Sequence, residues 1–502
     1  MTLRLCLLAA FVACFVQSAS AQPAPPAGSP PAASRPAERH APADTVGHLP
    51  PDVVTHQTIE LDGRTLHFTA TAGSVHLTDA QGAAQADLAF IAYQLDGADP
   101  HTRPVTIAIN GGPGSASAWL QLGALGPWRL PMSGAARAPS AAPLLVDNAQ
   151  TWLDFTDLVF LDPAGAGYSR LADDSEALRH RIWSVGGDVD SLADGIRLWL
   201  QHAGRLTSPK YIAGESYSGL RGPRLVRALA DQQGVGISGL VLVSPVLDFG
   251  YNSGAFDPFY YMTRLPSMAA AAHHLGADQL GDVEAFASGD YLADLMRGNR
   301  DSAAIARASA RVATFTGLDP ALVLRRHGRI GAREFLREND IKDERIGSPY
   351  DATQTIPDPF PEYANPDAPD PMMATLGPPM TSAMIDLVNN RLGWHPEGQY
   401  ELGNMRVFRE WDWGSRQGRP NSIEALRTAL ALDPGLHVLI GHGLYDLVTP
   451  YFETKLLLAQ VPDYGSADRV RLALHPGGHM FYSVDSSRAA LHDEARALVT
   501  GQ

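Results

Sequence analysis

Cysteine is absent from almost the whole chain. The 502 residues contain two cysteines, Cys6 and Cys14, and both lie within the first 21 positions. The chain after that segment can form no disulfide, no thiolate nucleophile and no cysteine-ligated zinc site. A protein of this length without disulfides must rely on its hydrophobic core.

Basic residues are scarce relative to acidic ones. The chain has 39 lysines and arginines against 54 aspartates and glutamates, which gives a formal net charge of −15. An excess of negative charge repels nucleic acid and anionic membrane surfaces. We therefore predict that neither of them is a partner.

Long apolar runs are missing except near the N-terminus. Arg4 precedes an apolar stretch at residues 5–16, and small residues at 19–21 have the spacing of a cleavage site. This pattern predicts a signal peptide over residues 1–21, cleaved near Ala21, and a secreted or periplasmic product. A membrane anchor is the alternative, but the apolar stretch is too short to span a bilayer. No later run is long enough either, so we predict no stable membrane insertion.

Short apolar runs indicate the strands. Alternating patterns predict antiparallel strands first, at residues 58–61, 65–69 and 87–93, with a hairpin turn at 62–63. Continuous apolar runs follow, at residues 105–109, 158–161, 211–213, 240–243, 436–440 and 470–474. Amphipathic helical stretches lie between them, notably at residues 187–203 and 220–233. This alternation predicts a mostly parallel sheet with helices on both faces.

Two segments depart from the alternating pattern. Residues 22–50 are rich in proline and alanine and predict a disordered leader. The interval from about 250 to 432 is helical or loop-like, with a proline-rich stretch around 357–380. We interpret this interval as a lid inserted between two core strands of a single domain that spans residues 51–502.

A hexapeptide at residues 214–219, Gly-Glu-Ser-Tyr-Ser-Gly, lies between a predicted strand and a predicted helix. A serine on a tight strand-to-helix turn projects its hydroxyl out of the sheet, close to backbone N–H groups at the helix start. This arrangement is the nucleophile elbow of the α/β-hydrolase fold, and it predicts Ser216 as the nucleophile of an acyl transfer. Ser218 replaces the usual second glycine, but it is small enough to let strand and helix approach closely.

An acid and a histidine should follow two later strands of an α/β-hydrolase, in that order. Asp446 comes after the strand that ends at Ile440, and His479 comes after the strand that ends at Leu474. We predict that His479 takes the proton from Ser216 while Asp446 fixes the tautomer of the imidazole and stabilises its charged form.

Each of these residues taken singly is also compatible with a solvated loop position. The order of the three, each after its own strand, favours a catalytic triad. His475 and His442 are the other histidines nearby. His475 directly follows a strand and is expected to be a loop residue. His442 could contact a triad residue without contacting the substrate, or it could have no role.

The oxyanion hole requires two backbone donors. The N–H group of Tyr217, directly after the nucleophile, is one candidate. The glycine-rich loop at residues 110–114 follows an early strand and offers the N–H group of Gly112, since glycines let the backbone approach a substrate carbonyl closely. A simple tight turn is the alternative. A phosphate-binding loop is a weaker one, because no Gly-Lys-Ser/Thr follows.

These motifs together resemble those of the serine carboxypeptidases of peptidase family S10. The resemblance covers most of residues 55–500 outside the lid and is carried by residues 110–115, 162–169, 214–219, 446 and 478–480. It implies an α/β-hydrolase that removes the C-terminal residue of a peptide, with Asn110 and Glu215 binding the free carboxylate. A glutamate beside a carboxylate must share a proton with it, so acidic pH should favour binding, as is characteristic of the family. A solvated Glu215 without this role is the alternative.

Two positions depart from the family pattern. Ser115 stands where relatives usually have a cysteine, which fits the lack of disulfides. The stretch Ala-Leu-Gly-Pro at residues 124–127 lacks the acidic residue that often precedes this Gly-Pro. If that acid supports carboxylate binding, the support is missing here or comes from elsewhere.

The predicted function is therefore that of an exported serine carboxypeptidase acting on peptides with a free C-terminus. Ser216 would attack the last peptide carbonyl, and water would hydrolyse the acyl-enzyme. No cofactor and no metal is predicted, since the chain contains no His-Glu-x-x-His motif. An esterase or acyltransferase with the same triad is one alternative. A non-catalytic binding protein on a hydrolase scaffold is another, although the intact triad argues against it.

Overall fold

The computed structural model describes residues 48–501 except residues 62, 135–136, 253–255, 364–367 and 415–418. The predicted signal peptide and most of the predicted leader lie outside the described residues. The strands are β1 (Val53–Leu61), β2 (Arg64–Thr78), β3 (Ala84–Leu95), β4 (Val105–Ile109), β5 (Trp128–Arg129), β6 (Val146–Asp147), β7 (Asp157–Leu161), β8 (Arg170–Leu171), β9 (Lys210–Glu215), β10 (Gly239–Val243), β11 (Arg345–Ser348), β12 (Asp351–Pro357), β13 (His437–Gly443) and β14 (Val470–His475).

The long strands form one sheet in the order β1-β2-β3-β7-β4-β9-β10-β13-β14. The first three strands are antiparallel, and β3 also pairs antiparallel with β7. All following neighbours are parallel. Leu61 pairs with Arg64 in the hairpin of β1 and β2, and residue 62 of the predicted turn lies outside the described residues. The α/β-hydrolase architecture predicted from the sequence is confirmed.

Among the described residues, the chain between and after these strands forms α-helices. They are α1 (Ala118–Leu120), α2 (Glu176–Ile182), α3 (Val185–His202), α4 (Ser218–Gln233), α5 (Pro258–His273), α6 (Gly281–Phe286), α7 (Leu292–Arg297), α8 (Ser302–Thr316), α9 (Pro320–Arg325), α10 (Ala332–Glu338), α11 (Pro371–Asp386), α12 (Met405–Glu410), α13 (Ile423–Leu432), α14 (Tyr451–Leu458) and α15 (Asp485–Thr500). Helices α3, α4 and α13 pack on one face of the parallel strands, and α11 and α15 pack on the other. A strand that is buried on both faces is apolar at nearly every position, which explains the continuous apolar runs.

Strand β10 illustrates this two-sided burial. Leu240 and Leu242 pack into one hydrophobic cluster together with residues of α3, α4 and α13. Val241 and Val243 point the opposite way and join a second cluster with residues of α11 and α15. Successive side chains of a strand face opposite sides, so both layers are filled by one short run.

The chain between β10 and β13 contains α5 to α13 and an antiparallel hairpin of β11 and β12. A third hydrophobic cluster is built largely from this segment. The expectation of helix and loop alone for residues 250–432 was therefore wrong at the hairpin. Helix α11 also lies partly in the proline-rich stretch. Asp370 caps it by accepting a hydrogen bond from the Met373 N–H at 2.8 Å, and Pro371 fits the first turn because no intrahelical donor is needed there.

The parallel strands bring their carboxyl ends to one edge of the sheet. Strands β4, β9, β10, β13 and β14 run in the same direction, so the segments that follow them gather there. Every residue predicted for the site lies at the end of one of these strands or in the segment that follows it. Among the described residues, every helix is too short or too polar to cross a membrane.

Candidate active site

Ser216 occupies the sharp turn between β9, which ends at Glu215, and α4, which begins at Ser218. Its backbone has φ = 60°, a left-handed conformation that is unfavourable for a residue with a side chain. The turn is held from both sides, since the Ser216 N–H donates to the Val243 carbonyl at 2.9 Å and its carbonyl accepts from the Val246 N–H at 3.0 Å. The structure therefore has the elbow geometry that was predicted.

Ser218 ties this elbow to the neighbouring strand. Its hydroxyl donates to the carbonyl of Ile109, the last residue of β4, at 2.9 Å. The close packing predicted from a small residue is present, because a Cβ on Gly214 would lie 2.5 Å from that of Ser218. The departure from the usual glycine thus adds a hydrogen bond between the elbow and the start of the glycine-rich loop.

The glycine-rich loop after β4 lies directly against the elbow. A Cβ on Gly111 would lie 2.5 Å from both the Glu215 carbonyl oxygen and the Tyr217 nitrogen, so a larger residue would push the two segments apart. Gly112 and Tyr217, the predicted oxyanion donors, line the same cleft as Ser216. The Tyr217 ring packs edge-on against Trp411 and Trp413, with centroids 5.5 and 5.9 Å away, which fixes its backbone.

Asp446 and His479 are paired as predicted from their order in the chain. The imidazole Nδ1 lies 2.7 Å from Asp446 Oδ2, and both side chains are almost fully buried. The other carboxylate oxygen accepts the N–H groups of Val448 and Thr449 at 2.8 and 3.0 Å. Because Nδ1 is engaged by the acid, Nε2 is the nitrogen left for the cleft, which Ser216 and His479 line together.

The surroundings of His479 decide its charge. Burial by itself lowers the pKa of His479, but the charge and hydrogen bond of Asp446, with a contribution from Glu215, raise the pKa above its ordinary value overall. The imidazolium form is therefore stabilised, which is what a base needs in the step in which it takes up a proton.

Two hydroxyl groups that the sequence analysis missed connect the acid and histidine loops. The Thr449 hydroxyl lies 2.7 Å from Asp446 Oδ2 and 2.9 Å from the Ser244 carbonyl oxygen. The Ser244 hydroxyl donates to the carbonyl of His479 at 2.8 Å. Both residues follow core strands, but a hydroxyl at such a position is too common to single out from sequence.

Tyr350, in the turn of the β11–β12 hairpin, was also missed. Its carbonyl oxygen accepts the backbone N–H of His479, and its ring lies edge-on to the imidazole with centroids 5.4 Å apart. A Cβ on Gly478 would lie 2.0 Å from that carbonyl, so this position requires glycine. The inserted segment thus holds the histidine loop in place.

The alternative histidines are engaged elsewhere. His475 stacks on Phe481 with centroids 4.7 Å apart, and its Nε2 lies 3.3 Å from a carboxylate oxygen of Glu494. His442 is buried within β13, its Nε2 lies 2.9 Å from the Thr454 hydroxyl, and burial lowers its pKa to about 3. His479 is the only histidine among the described residues that line the cleft.

Asn110 and Glu215, the predicted carboxylate-binding residues, touch each other beside Ser216. The Asn110 amide donates to Glu215 Oε2 at 2.7 Å, and its own carbonyl oxygen Oδ1 accepts the Leu120 N–H at 2.9 Å. Glu215 is buried, and burial raises its pKa above the ordinary value despite the opposing influence of His479 and of its hydrogen-bond donors. A protonated Glu215 is thus favoured relative to an exposed glutamate.

Tyr482 supplies a further contact to Glu215 that the sequence analysis missed. Its hydroxyl donates to Glu215 Oε2 at 3.0 Å and is itself buried. The ring lies against Gly123, where a Cβ would be 2.5 Å from Tyr482 Cε2, directly before Ala124 at the position lacking the expected acid. The chain lacks the acidic residue expected before the Gly-Pro at residues 126–127, and Tyr482, from the segment after His479, contacts Glu215.

Arg221 joins the elements that carry these groups. Its guanidinium makes a buried bidentate ion pair with Asp188 on α3, in which Nε lies 2.7 Å from Oδ2 and Nη2 lies 3.1 Å from Oδ1. The remaining nitrogen donates to the Asn110 carbonyl at 2.6 Å and lies 3.0 Å from the Ser218 hydroxyl. The guanidinium also sits 5.0 Å from the Tyr217 ring centroid. One side chain of α4 therefore holds the elbow and the glycine-rich loop together.

Ser216, His479 and Glu215 line a cleft of about 510 Å³. Its walls are mainly apolar and aromatic, and several lining residues come from the segment between β10 and β13: Val246, Phe249, Tyr350, Met373, Phe408 and Trp413. Among the described lining residues, Glu215 is the acidic one, and neither lysine nor arginine occurs. Serine, histidine and two candidate backbone donors in one cleft, with Asp446 paired to the histidine, can carry out acyl transfer.

Comparison with known proteins points to one family. A family model described as serine carboxypeptidase matches residues 62–471. Serine carboxypeptidase-like 2 of Arabidopsis thaliana is 27% identical over 169 residues, which are 32% of this chain and 37% of the relative. The pheromone-processing carboxypeptidase kex1 of Schizosaccharomyces japonicus is 29% identical over 172 residues, 34% of this chain and 30% of the relative. These alignments span about a third of the curated relatives' length.

A solved structure extends the similarity over most of the fold. The prohormone-processing carboxypeptidase Kex1 of Saccharomyces cerevisiae superposes with a TM-score of 0.53 at 15% identity. The superposition covers 86% of this chain and 90% of that chain. At this identity the likeness concerns the fold.

We predict that labelling of Ser216 by a fluorophosphonate slows as pH falls, because a protonated His479 cannot accept the serine proton. Asp446→Asn should lower the labelling rate by about 10⁴-fold, since the imidazole loses both its charge partner and its tautomer. His437→Gln, which alters an exposed histidine of β13, is the control and should label like the wild type. Undiminished labelling of Asp446→Asn would contradict the assignment.

We also predict that Arg221→Met destabilises the protein by about 3–5 kcal/mol, because Asp188 is left as an unpaired buried charge. Arg227→Met on the same helix removes a surface ion pair with Asp231 and should cost less than about 1 kcal/mol. Urea denaturation of both variants measures the difference. An equal loss of unfolding free energy in the two variants would show that the buried ion pair stabilises the protein no more than the surface pair.

Proposed function

Because the chain belongs to the serine carboxypeptidase family, we propose that it hydrolyses the C-terminal bond of peptides through an acyl-enzyme on Ser216. His479 takes the serine proton through Nε2 and returns it to the leaving amine, while Asp446 holds the imidazole. The N–H groups of Gly112 and Tyr217 stabilise the oxyanion of the tetrahedral intermediate. Water then repeats the sequence on the acyl-enzyme and frees the serine.

The observation that carries this proposal is the buried contact of Asn110, Glu215 and Tyr482 beside the serine. Both donors reach Oε2 of Glu215. Among the described contacts Oε1 receives no hydrogen bond, so a proton on Oε1 is available to a substrate carboxylate. A free C-terminus placed there would set the last peptide carbonyl next to Ser216, and an amidated or extended chain would lose this contact.

Protonation of Glu215 also bears on the base. Glu215 raises the pKa of His479, and His479 lowers the pKa of Glu215, so the two groups titrate as a coupled pair. A proton on Glu215 removes its negative charge and therefore lowers the pKa of His479. Below the pKa of Glu215 the site thus binds a carboxylate and at the same time keeps His479 neutral to lower pH. This coupling supports activity at acidic pH.

The lining of the cleft supports a substrate with apolar side chains next to the cleaved bond. Aromatic and aliphatic side chains dominate the walls, and neither lysine nor arginine is found among the described lining residues. An acidic side chain of the substrate would lose its hydration without gaining a charge partner. We therefore propose peptides that end in apolar residues as the preferred substrates. Export by the N-terminal signal peptide remains part of the proposal and rests on the sequence pattern.

We predict that a peptide ending in Phe-Leu with a free carboxylate releases leucine, whereas its C-terminal amide reacts at least about 10²-fold more slowly in kcat/KM. The reason is that buried polar groups left unpaired reject a substrate lacking their partner. Mass spectrometry of the products measures both rates, with Ser216→Ala as the inactive control.

Three other outcomes have clear meanings. Equal cleavage of acid and amide would contradict the carboxypeptidase proposal. Hydrolysis of an apolar ester without cleavage of either peptide would identify an esterase. Failure of folded protein to react with the fluorophosphonate or with any substrate would identify a binding protein.

We predict that KM for the free-carboxylate peptide rises with pH in the wild type as Glu215 loses its proton. In Tyr482→Phe this rise should begin at higher pH, because the lost hydrogen bond stabilised ionised Glu215 and so lowered its pKa. In Glu215→Gln, KM should no longer follow pH in this range. At neutral pH the KM of Tyr482→Phe should be about tenfold lower than that of the wild type, from the usual strength of a hydrogen bond to a charge. A shift to lower pH would contradict the assigned role.

A further inference from the structure

A second cluster of ionisable side chains lies outside the cleft, on the antiparallel part of the sheet. His76 on β2 and Asp87 on β3 are direct cross-strand partners, and His48 reaches them from the segment before β1. His76 Nδ1 lies 2.7 Å and His48 Nδ1 lies 3.1 Å from the same oxygen, Oδ1 of Asp87. None of the three lines the catalytic cleft.

The donor atoms have the spacing of metal ligands. One ligand atom from each residue lies within 4.8 Å of the other two. Ligands of a tetrahedral zinc ion with bonds of about 2.0–2.1 Å stand about 3.3 Å apart. The two nitrogen–oxygen separations, 2.7 and 3.1 Å, are shorter than this value by a few tenths of an ångström, and both imidazoles are exposed enough to move apart around an ion.

We propose that His48, His76 and Asp87 form a binding site for a divalent transition-metal ion, with Zn²⁺ as the ion of best fit. Two imidazole nitrogens with one carboxylate favour zinc and its neighbours over calcium or magnesium, which prefer sites made of oxygens. The ion binds the lone pairs of the two Nδ1 atoms, with each neutral imidazole carrying its proton on Nε2, and water completes its coordination.

The surroundings hold the carboxylate in the orientation that a metal needs. Asp87 is buried, and its Oδ2 accepts the backbone N–H of Leu49 at 2.9 Å. A hydrogen bond to the second oxygen fixes the first one as the ligand. Arg170 on β8 pairs with Asp87 in the sheet, but its guanidinium makes no ion pair with that carboxylate among the described contacts.

The site would fasten the N-terminal segment to the sheet. His48 precedes the buried Leu49, and the cluster connects positions 39 residues apart in the chain. Closing a loop through a metal restricts the unfolded chain, much as a disulfide does. In a chain without cysteine after residue 14, a metal is the remaining way to make such a cross-link.

Titration of the untagged, chelator-treated chain with ZnCl₂ tests the proposal. Calorimetry should give one saturable site per chain, and the melting temperature should rise with added zinc. Co²⁺ should give visible absorption bands of a nitrogen- and oxygen-ligated ion, whereas Ca²⁺ and Mg²⁺ should produce no thermal shift.

Variants decide whether these residues are the ligands. His48→Gln and Asp87→Asn should each weaken zinc binding by at least about tenfold, the cost seen even for outer partners of a metal ligand. His67→Gln, which alters an exposed histidine of the same strand as His76, should bind zinc like the wild type. His48 is exposed, so its variant folds whether or not Asp87→Asn does. Absence of saturable binding, or equal affinity in His48→Gln and His67→Gln, would overturn the proposal.

Discussion

The buried ion pair of Arg221 and Asp188 is the interaction on which the site depends. Two charges removed from water are tolerated only when geometry is good and every remaining donor finds a partner. Arg221 meets this condition by donating to the Asn110 carbonyl and contacting the Ser218 hydroxyl. The requirement to satisfy one guanidinium therefore aligns the elbow with the glycine-rich loop after β4. It also keeps Asn110 within reach of Glu215.

A second constraint is electrostatic. Glu215 and Asp446 place two buried carboxyl groups near one buried imidazole. Asp446 accepts hydrogen bonds from two backbone N–H groups and is paired with the imidazole of His479. Glu215 has only neutral donors, Asn110 and Tyr482, so burial favours its protonated form. Unequal surroundings thus give similar side chains different tasks.

Several parts of the site were predictable because they follow local rules. The turn at Ser216 requires small neighbours within a few residues, and this leaves a readable pattern in the hexapeptide. Asp446 and His479 follow strands whose order is set by the topology of the sheet. Tyr350 and Tyr482 obey no such rule. Tyr350 lies in a hairpin within the inserted segment, and Tyr482 reaches Glu215 across 267 positions of sequence. The sequence showed that residues 124–127 lack the expected acid, but it did not show that Tyr482 contacts Glu215.

From the sequence we could predict that the elbow, the acid loop and the histidine loop follow core strands in that order, and that the parallel strands are buried on both faces. These features depend on residue type and on neighbours close in the chain, where backbone geometry leaves few choices. The tertiary structure alone decided which nitrogen of His479 is free, how Arg221 joins two loops and which side chains line the cleft. Such contacts depend on where distant segments pack, and many different sequences can satisfy the same packing.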